Sequence, residues 1–353
     1  MATTFKTLTA NDVTNTRTLL HEAIPLTGTI VSGTYTDQNV KTYTHGMFES
    51  VYDYPYLSSS ANHILDITAG YSSNSGHSGS GVQNSKKINI YNQMAAVLVG
   101  HDATGSIQAF DQDGDIAGGG QKLEEVFFLN TSRLLTKDEI KKGSFTITIL
   151  TGGVPSSASP NVLTSPLTLG DYGAATSYYV NSPAGEYAIL YTSSATPHAA
   201  SGYGLLYYQA GVAVISGNVW RADDTGAGSG SCLGPGFESA SFDNLMTGST
   251  IEVMADSVRN RIKEISFNNT VELNSSIYFC RANNNEFNYS SNPTYLTSSE
   301  IRVKNTTSDN PVAYITTVGL YSSDNELLAV AKLSEPLKKD PNTELTIRVR
   351  LDY

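Results

Sequence analysis

The chain has 353 residues, 39% of them apolar and only 16% charged, with a formal charge of −11 at pH 7. That length supports two or three domains with real cores. The acid excess argues against a nucleic-acid groove, which needs clustered Lys and Arg, and here no basic run exceeds two residues.

No apolar run reaches the length that spans a bilayer. Met1-Ala-Thr-Thr-Phe-Lys6 lacks the basic-then-apolar layout of a secretory leader, so synthesis in a cytosol without membrane insertion is expected. Ser, Thr, Asn, Gly and Tyr take the place of the missing charges. Tyr at 21 against Phe at 11 suits surfaces that are apolar on one side and wet on the other.

The expected fold class is α+β to mainly β. Residues 1–150 read as an N-terminal α+β domain. Thr9-Ala-Asn-Asp12 has the form of a capping box, predicting a helix through Ala23 that stops at Pro25. Strand-like residues follow at 28–35, an aromatic-rich stretch at 47–56 and an apolar run at 61–71. The strongest helix begins near Ser85, with Ile88, Tyr91, Met94, Ala95 and Leu98 on one face and Gly100 as its stop. Residues 126–129 read as a buried strand. Thr136-Lys-Asp-Glu139 predicts one helical turn before Gly143, and 144–150 alternates as a half-buried strand.

Residues 151–250 hold fifteen of the thirty glycines and read as a Gly-, Ser- and Tyr-rich β insertion or interaction region. Strands are expected at 186–192, 204–209 and 212–219. The Tyr-rich loops between them are the expected contacts to partners, because Gly-rich loops lose entropy unless something orders them. Residues 251–353 read as a C-terminal antiparallel β-sandwich with strands at 261–268, 271–280, 300–305, 312–321, 327–333 and 344–351. Leu345, Ile347, Val349 and Leu351 fall on one face of the last strand, whose edge is a second candidate for pairing with a partner.

Motifs for chemistry are weak. Asp111-Gln-Asp113-Gly-Asp115 alternates carboxylates as calcium loops do, but an EF-hand needs Gly at the sixth position and an acid at the twelfth, and here those are Ile116 and Lys122. It reads as a solvated acidic turn. His21, His45, His63, His77, His101 and His198 form no tight metal-ligand pair, and His101-Asp102 reads as a helix-end histidine beside a capping carboxylate. Nucleophile elbows, phosphate loops and dinucleotide fingerprints are absent. No catalytic, cofactor-binding or metal-binding residue is assigned, and the chain is read as not an enzyme. Cys232 lies in a Gly-rich loop and Cys280 ends a strand-like run. In a reducing cytosol the default is two free thiols, although a disulfide between them is geometrically allowed.

Three segments near the C-terminus carry a resemblance: Phe287-Asn-Tyr-Ser-Ser-Asn-Pro-Thr-Tyr295, the run Gly319-Leu-Tyr321 to Leu327-Leu-Ala-Val-Ala331 hinged on Ser322-Ser-Asp-Asn-Glu326, and Ser334-Glu-Pro-Leu-Lys-Lys339. They resemble tail, baseplate and fibre-attachment proteins of tailed bacteriophages, and Thr18-Leu-Leu-His-Glu-Ala-Ile-Pro-Leu-Thr-Gly-Thr-Ile30 also resembles virion proteins of such phages. The resemblance implies a virion structural subunit of the tail or baseplate region. Its partners would be tail tube, sheath, baseplate or fibre subunits and copies of itself. A receptor- or glycan-binding tail adhesin is the alternative, a neck, collar or capsid-associated protein a second, and a depolymerase ranks last.

Overall fold

The computed structural model describes residues 5–27, 39–116, 120–152, 164–192, 202–220, 246–289, 296–297, 300–301 and 311–353. The chain is mainly β, 47% strand and 16% helix, built of several antiparallel sheets. It divides into two compact units. Residues 20–271 form the larger, and residues 1–19 with 272–353 form the smaller.

The strands follow in order: β1 (Val13–Thr27), β2 (Val40–Lys41), β3 (Glu49–Tyr52), β4 (His63–Tyr71), β5 (Glu125–Thr131), β6 (Glu139–Ile140), β7 (Thr146–Gly152), β8 (Thr164–Gly170), β9 (Tyr179–Ser182), β10 (Gly185–Leu190), β11 (Gly204–Tyr207) and β12 (Val212–Ser216). Then come β13 (Ile262–Ala282), the short β14 (Leu296–Thr297) and β15 (Glu300–Ile301), and finally β16 (Ala313–Tyr321), β17 (Leu327–Lys339) and β18 (Leu345–Asp352). Helix α1 (Val82–Leu98) precedes β5, the single turn α2 (Arg133–Thr136) follows it, and α3 (Ile251–Arg261) leads straight into β13.

In the larger unit, eight strands form one sheet in the order β2-β3-β4-β5-β12-β11-β10-β9. Its central strands are covered on both faces, which is why they read in sequence as unbroken apolar runs rather than alternating ones. Phe127 and Leu129 of β5 join Ile147 and Ile149 of β7 and Ile265 and Phe267 of β13 in one core. Val126 and Phe128, one residue out of step, join Ile90, Tyr91, Ala95 and Leu98 of α1 in another. Strands β10, β11 and β12 divide their side chains between the same two cores. The antiparallel sandwich is therefore most fully built within residues 20–271. At Gly70 of β4 the helix backbone comes so close that an added Cβ would lie 2.8 Å from the Lys87 carbonyl oxygen and 2.9 Å from the Tyr91 nitrogen. Only glycine fits there.

Several local expectations are corrected. The Asp12 carboxylate does accept hydrogen bonds from the Thr9 N–H (3.0 Å) and hydroxyl (2.7 Å). It caps only a three-residue turn before β1, because Val13, Thr14, Thr16 and Thr18 are β-branched and the segment lies beside β13 as a strand. Near Thr136 the helical turn ends instead of beginning, and Lys137 turns the chain with φ 58°. Residues 251–261 are helical, with the Thr250 hydroxyl accepting from the Val253 N–H. The two strands expected at 261–268 and 271–280 are one continuous β13. Strand-like residues 28–35, Cys232 and His198 lie outside the described residues. The position expected to end the N-terminal domain, residue 150, falls within β7.

In the smaller unit, residues 275–282 of β13 pair antiparallel with β18 from Ser275–Asp352 to Ala282–Leu345. β16 and β17 form a separate two-stranded hairpin. Its turn works as its residues predict: Asn325 adopts φ 63°, and the Ser322 hydroxyl accepts from the Asp324 and Glu326 N–H groups at 3.2 and 3.1 Å.

Candidate functional site

Burial separates the two units sharply. Of fifty buried apolar residues described, only Ala282 and Val349 belong to the smaller unit. It nonetheless carries twelve of the twenty-one large apolar side chains that stay exposed. These concentrate on the hairpin.

Along β16 and β17, side chains alternate between exposed and half-buried, and from Ala313 to Lys338 none is fully buried. At the turn end, Tyr321, Leu327, Leu328 and Val330 are exposed, Leu328 by 68%. The Tyr321 ring lies across Gly319, where an added Cβ would sit 2.9 Å from it and 3.3 Å from Leu327 Cδ1. Phe5 meets the same ring edge-on at 4.9 Å. The result is an apolar cap on a hairpin whose sheet, among the described residues, has two strands. A two-stranded ribbon of this kind is marginal in water by itself. Among the described residues, neither long edge of the hairpin nor the outer edge of β18 pairs with another strand.

The tyrosines expected as contact residues between 151 and 250 are placed elsewhere. Tyr187, Tyr191, Tyr207 and Tyr208 are buried in the larger unit. For two of them the hydroxyl has an acceptor: the Tyr187 hydroxyl lies 2.6 Å from Asn181 Oδ1 and 2.8 Å from the Gly114 carbonyl oxygen, which compete for its one proton, and Tyr208 donates to Asp171 at 2.8 Å. Tyr179, Tyr187 and Tyr207 stack in a row, with centroids 5.3 and 5.1 Å apart. Tyr187 and Tyr207 are core, whereas Tyr179 is half-buried and Tyr178 is exposed.

Asp111, Asp113 and Asp115 bring one carboxylate oxygen each to within 4.8 Å of one another. Lys122, at the twelfth position, bonds the Asp111 carboxylate across the hairpin formed by Gln112 and Gln121. Burial pushes the Asp111 carboxyl above its ordinary range, and Lys122 opposes that rise. The turn thus already holds a cation of its own. Ile116, in the glycine position of a calcium loop, takes the left-handed φ of 60° that glycine would supply.

The other pairs resolve into structure. Asp102 accepts from the Thr104 and Ser106 N–H groups at 2.8 and 2.9 Å, closing a turn, while His101 is exposed. His63 meets Asp66 at 2.8 Å and His77 lies 3.9 Å from Glu125. Cys280 is a half-buried thiol whose pKa is raised by burial and then by the charge of Asp12. Trp220 packs against Phe127 at 5.0 Å in the core and lines no cleft.

Two buried ionisable groups gave no sequence signal. Glu49 on β3 is 2% exposed, and its Oε2 has no hydrogen-bond partner. Burial, reinforced by the Asp256 charge, pushes its carboxyl up to about 8. Lys87 on α1 is fully buried, donates to the Met246 carbonyl at 2.6 Å, and is pushed down to about 8 by burial.

No protein-family model, curated protein or solved structure matches this chain.

Proposed function

We propose that the chain is a structural subunit of a tailed-bacteriophage virion, in the tail or baseplate region, that holds neighbouring subunits in a ring or wedge. The observation that carries this reading is the smaller unit: a β structure with two buried apolar residues among those described and an apolar hairpin cap facing solvent. A segment that cannot bury enough apolar surface within its own chain is completed by another surface, and exposed apolar patches of this kind mark interaction sites. The hairpin is also the segment that resembles phage attachment regions, Gly319-Leu-Tyr321 to Leu327-Leu-Ala-Val-Ala331. In an assembly, many weak contacts of this sort become durable through multivalency.

Quantitative mass spectrometry of purified particles tests the proposal. It expects the chain at a fixed copy number relative to the other virion proteins. Absence from intact particles, together with turnover of a substrate by the purified chain, would overturn it.

A further inference from the structure

The hairpin cap admits several kinds of cover, and the observations favour one. We infer that a second copy of this chain docks on the Tyr321, Leu327, Leu328 and Val330 face, so that the smaller units of two or more chains complete each other's core. This deepens the assembly reading and relies on it only for the biological use of the contact.

Area is the first argument. Twelve large apolar side chains of the smaller unit are between 37% and 73% exposed. With aromatic side chains of about 150–250 Å² each, they offer on the order of 1,000 Å² of apolar surface per chain. A stable interface needs about 800 Å² per partner. That apolar total is spread over the whole smaller unit; the four side chains of the cap, with Leu328 the most exposed at 68%, form the apolar centre of the contact and not its full area.

Charge is the second argument, and it selects the partner. Residues 1–19 and 272–353 carry ten Lys and Arg against eleven Asp and Glu, whereas residues 20–271 carry twelve against twenty-two. Two copies of the larger unit repel each other, but two copies of the smaller one do not. Its cations and anions are also interspersed: Lys338 lies 3.4 Å from Asp340, Arg350 2.7 Å from Asp352, and Arg281 3.0 Å from Asp12. A strongly charged partner would find no complementary field there. An identical near-neutral apolar surface meets no electrostatic opposition.

The backbone supplies the third argument. The long edges of the hairpin and the outer edge of β18 are unpaired among the described residues, so a second copy can continue the ladder as well as cover the face. The chain blunts these edges only partly, with Pro336 and Lys338 at the far end of β17.

The test uses the full chain in sedimentation-velocity runs from about 1 to 100 μM, the range in which contacts of this size dissociate. Wild type is expected to associate reversibly. Leu328→Asp combined with Val330→Asp is expected to weaken association by about a hundredfold or more, because two charges are desolvated in the contact. Val97→Asp, at an exposed position on α1 of the larger unit, is expected to leave association unchanged. Near-UV circular dichroism checks that each variant keeps the fold of the larger unit. Should the double variant misfold, oxidative cross-linking of Leu328→Cys reads the same contact, with covalent dimers expected. A wild-type chain that stays monomeric through the whole range overturns the inference, as does association unaffected by the double variant. A chain that is monomeric alone yet present in particles at fixed copy number sinks the self-contact while leaving the virion role standing.

Discussion

The two units share a strand-rich composition but solve the burial problem in opposite ways. In residues 20–271, an eight-stranded sheet is covered on one face by β7, β8 and β13 and on the other by α1, so Phe127 and Phe128 are both fully buried on successive residues. In residues 1–19 and 272–353 the strands are as long, β17 having thirteen residues, yet Leu327, Leu328 and Val330 remain more than half exposed. Strand propensity and register alone make a hairpin; stability comes from what lies against it. The larger unit brings its own cover, whereas among the described residues the smaller one leaves its hairpin face in solvent.

Truncating the larger unit's core should have the largest effect. Phe127→Ala removes a fully buried ring that packs edge-on with Trp220, and is expected to cost about 3–5 kcal/mol in chemical denaturation. A loss under about 1 kcal/mol would mean the two cores are not tightly packed.

Asp171 comes next. Its carboxylate accepts from the Gly143 N–H at 2.6 Å, the Phe145 N–H at 2.9 Å and the Tyr208 hydroxyl at 2.8 Å, tying the turn before β7 to β11. Burial pushes its pKa to about 6, against these three donors that favour the anion. Asp171→Ala strands all three and is expected to cost about 2–3 kcal/mol, read as a lowered denaturation midpoint at pH 7.

Glu49 gives a smaller, pH-dependent signature of the same unit. Its folded pKa of about 8 lies above its unfolded value near 4.5, so the folded state holds the proton more tightly. Stability is then highest below the unfolded value and falls as pH rises from about 4.5 through 8. Glu49→Gln keeps the shape and removes the charge. Denaturation at pH 5 and pH 6.5 should show wild type losing on the order of 2 kcal/mol that the variant retains. Parallel curves for the two proteins would contradict the placement of Glu49.

The smallest effect belongs to the hairpin. Leu328→Ala in dilute chain is expected to change stability by no more than about 0.5 kcal/mol, because the side chain it shortens is already in water. Set beside Phe127→Ala, this comparison is the sharpest mutational contrast between the units.

Much of this was legible in the sequence where one physical rule acted alone. The buried strand 126–129, the strand expected at 212–219, which ends at Ser216 before a 3-10 turn, and the 325-centred turn could be read because apolar runs and left-handed Asn have few other uses. Helix α1 could be read because Tyr91, Ala95 and Leu98 repeat at the helical spacing. Where two rules competed, the local one lost. The Thr9 and Asp12 pair forms its hydrogen bonds, yet the β-branched residues beyond it extend the chain. Helix α3 carried its own signal, with Ile251, Met254, Ala255 and Val258 at positions i, i+3, i+4 and i+7 after a Thr cap. The tyrosines show what composition withholds: it counts amphipathic rings but does not say that the acceptors for Tyr187 and Tyr208 lie inside the core. Glu49 and Lys87 gave no warning, since a buried charge differs from a solvated one only in its surroundings.

The central claim is that the described residues of 1–19 and 272–353 bury too little apolar surface to make a sufficient core of their own. Hydrogen–deuterium exchange on the full-length protein at submicromolar concentration tests it most directly. Amides of β16 and β17 should exchange through openings within about 2 kcal/mol of the ground state, while those of β4 and β5 exchange only near global unfolding. Equal protection of the hairpin and the eight-stranded sheet in the dilute chain would contradict the account.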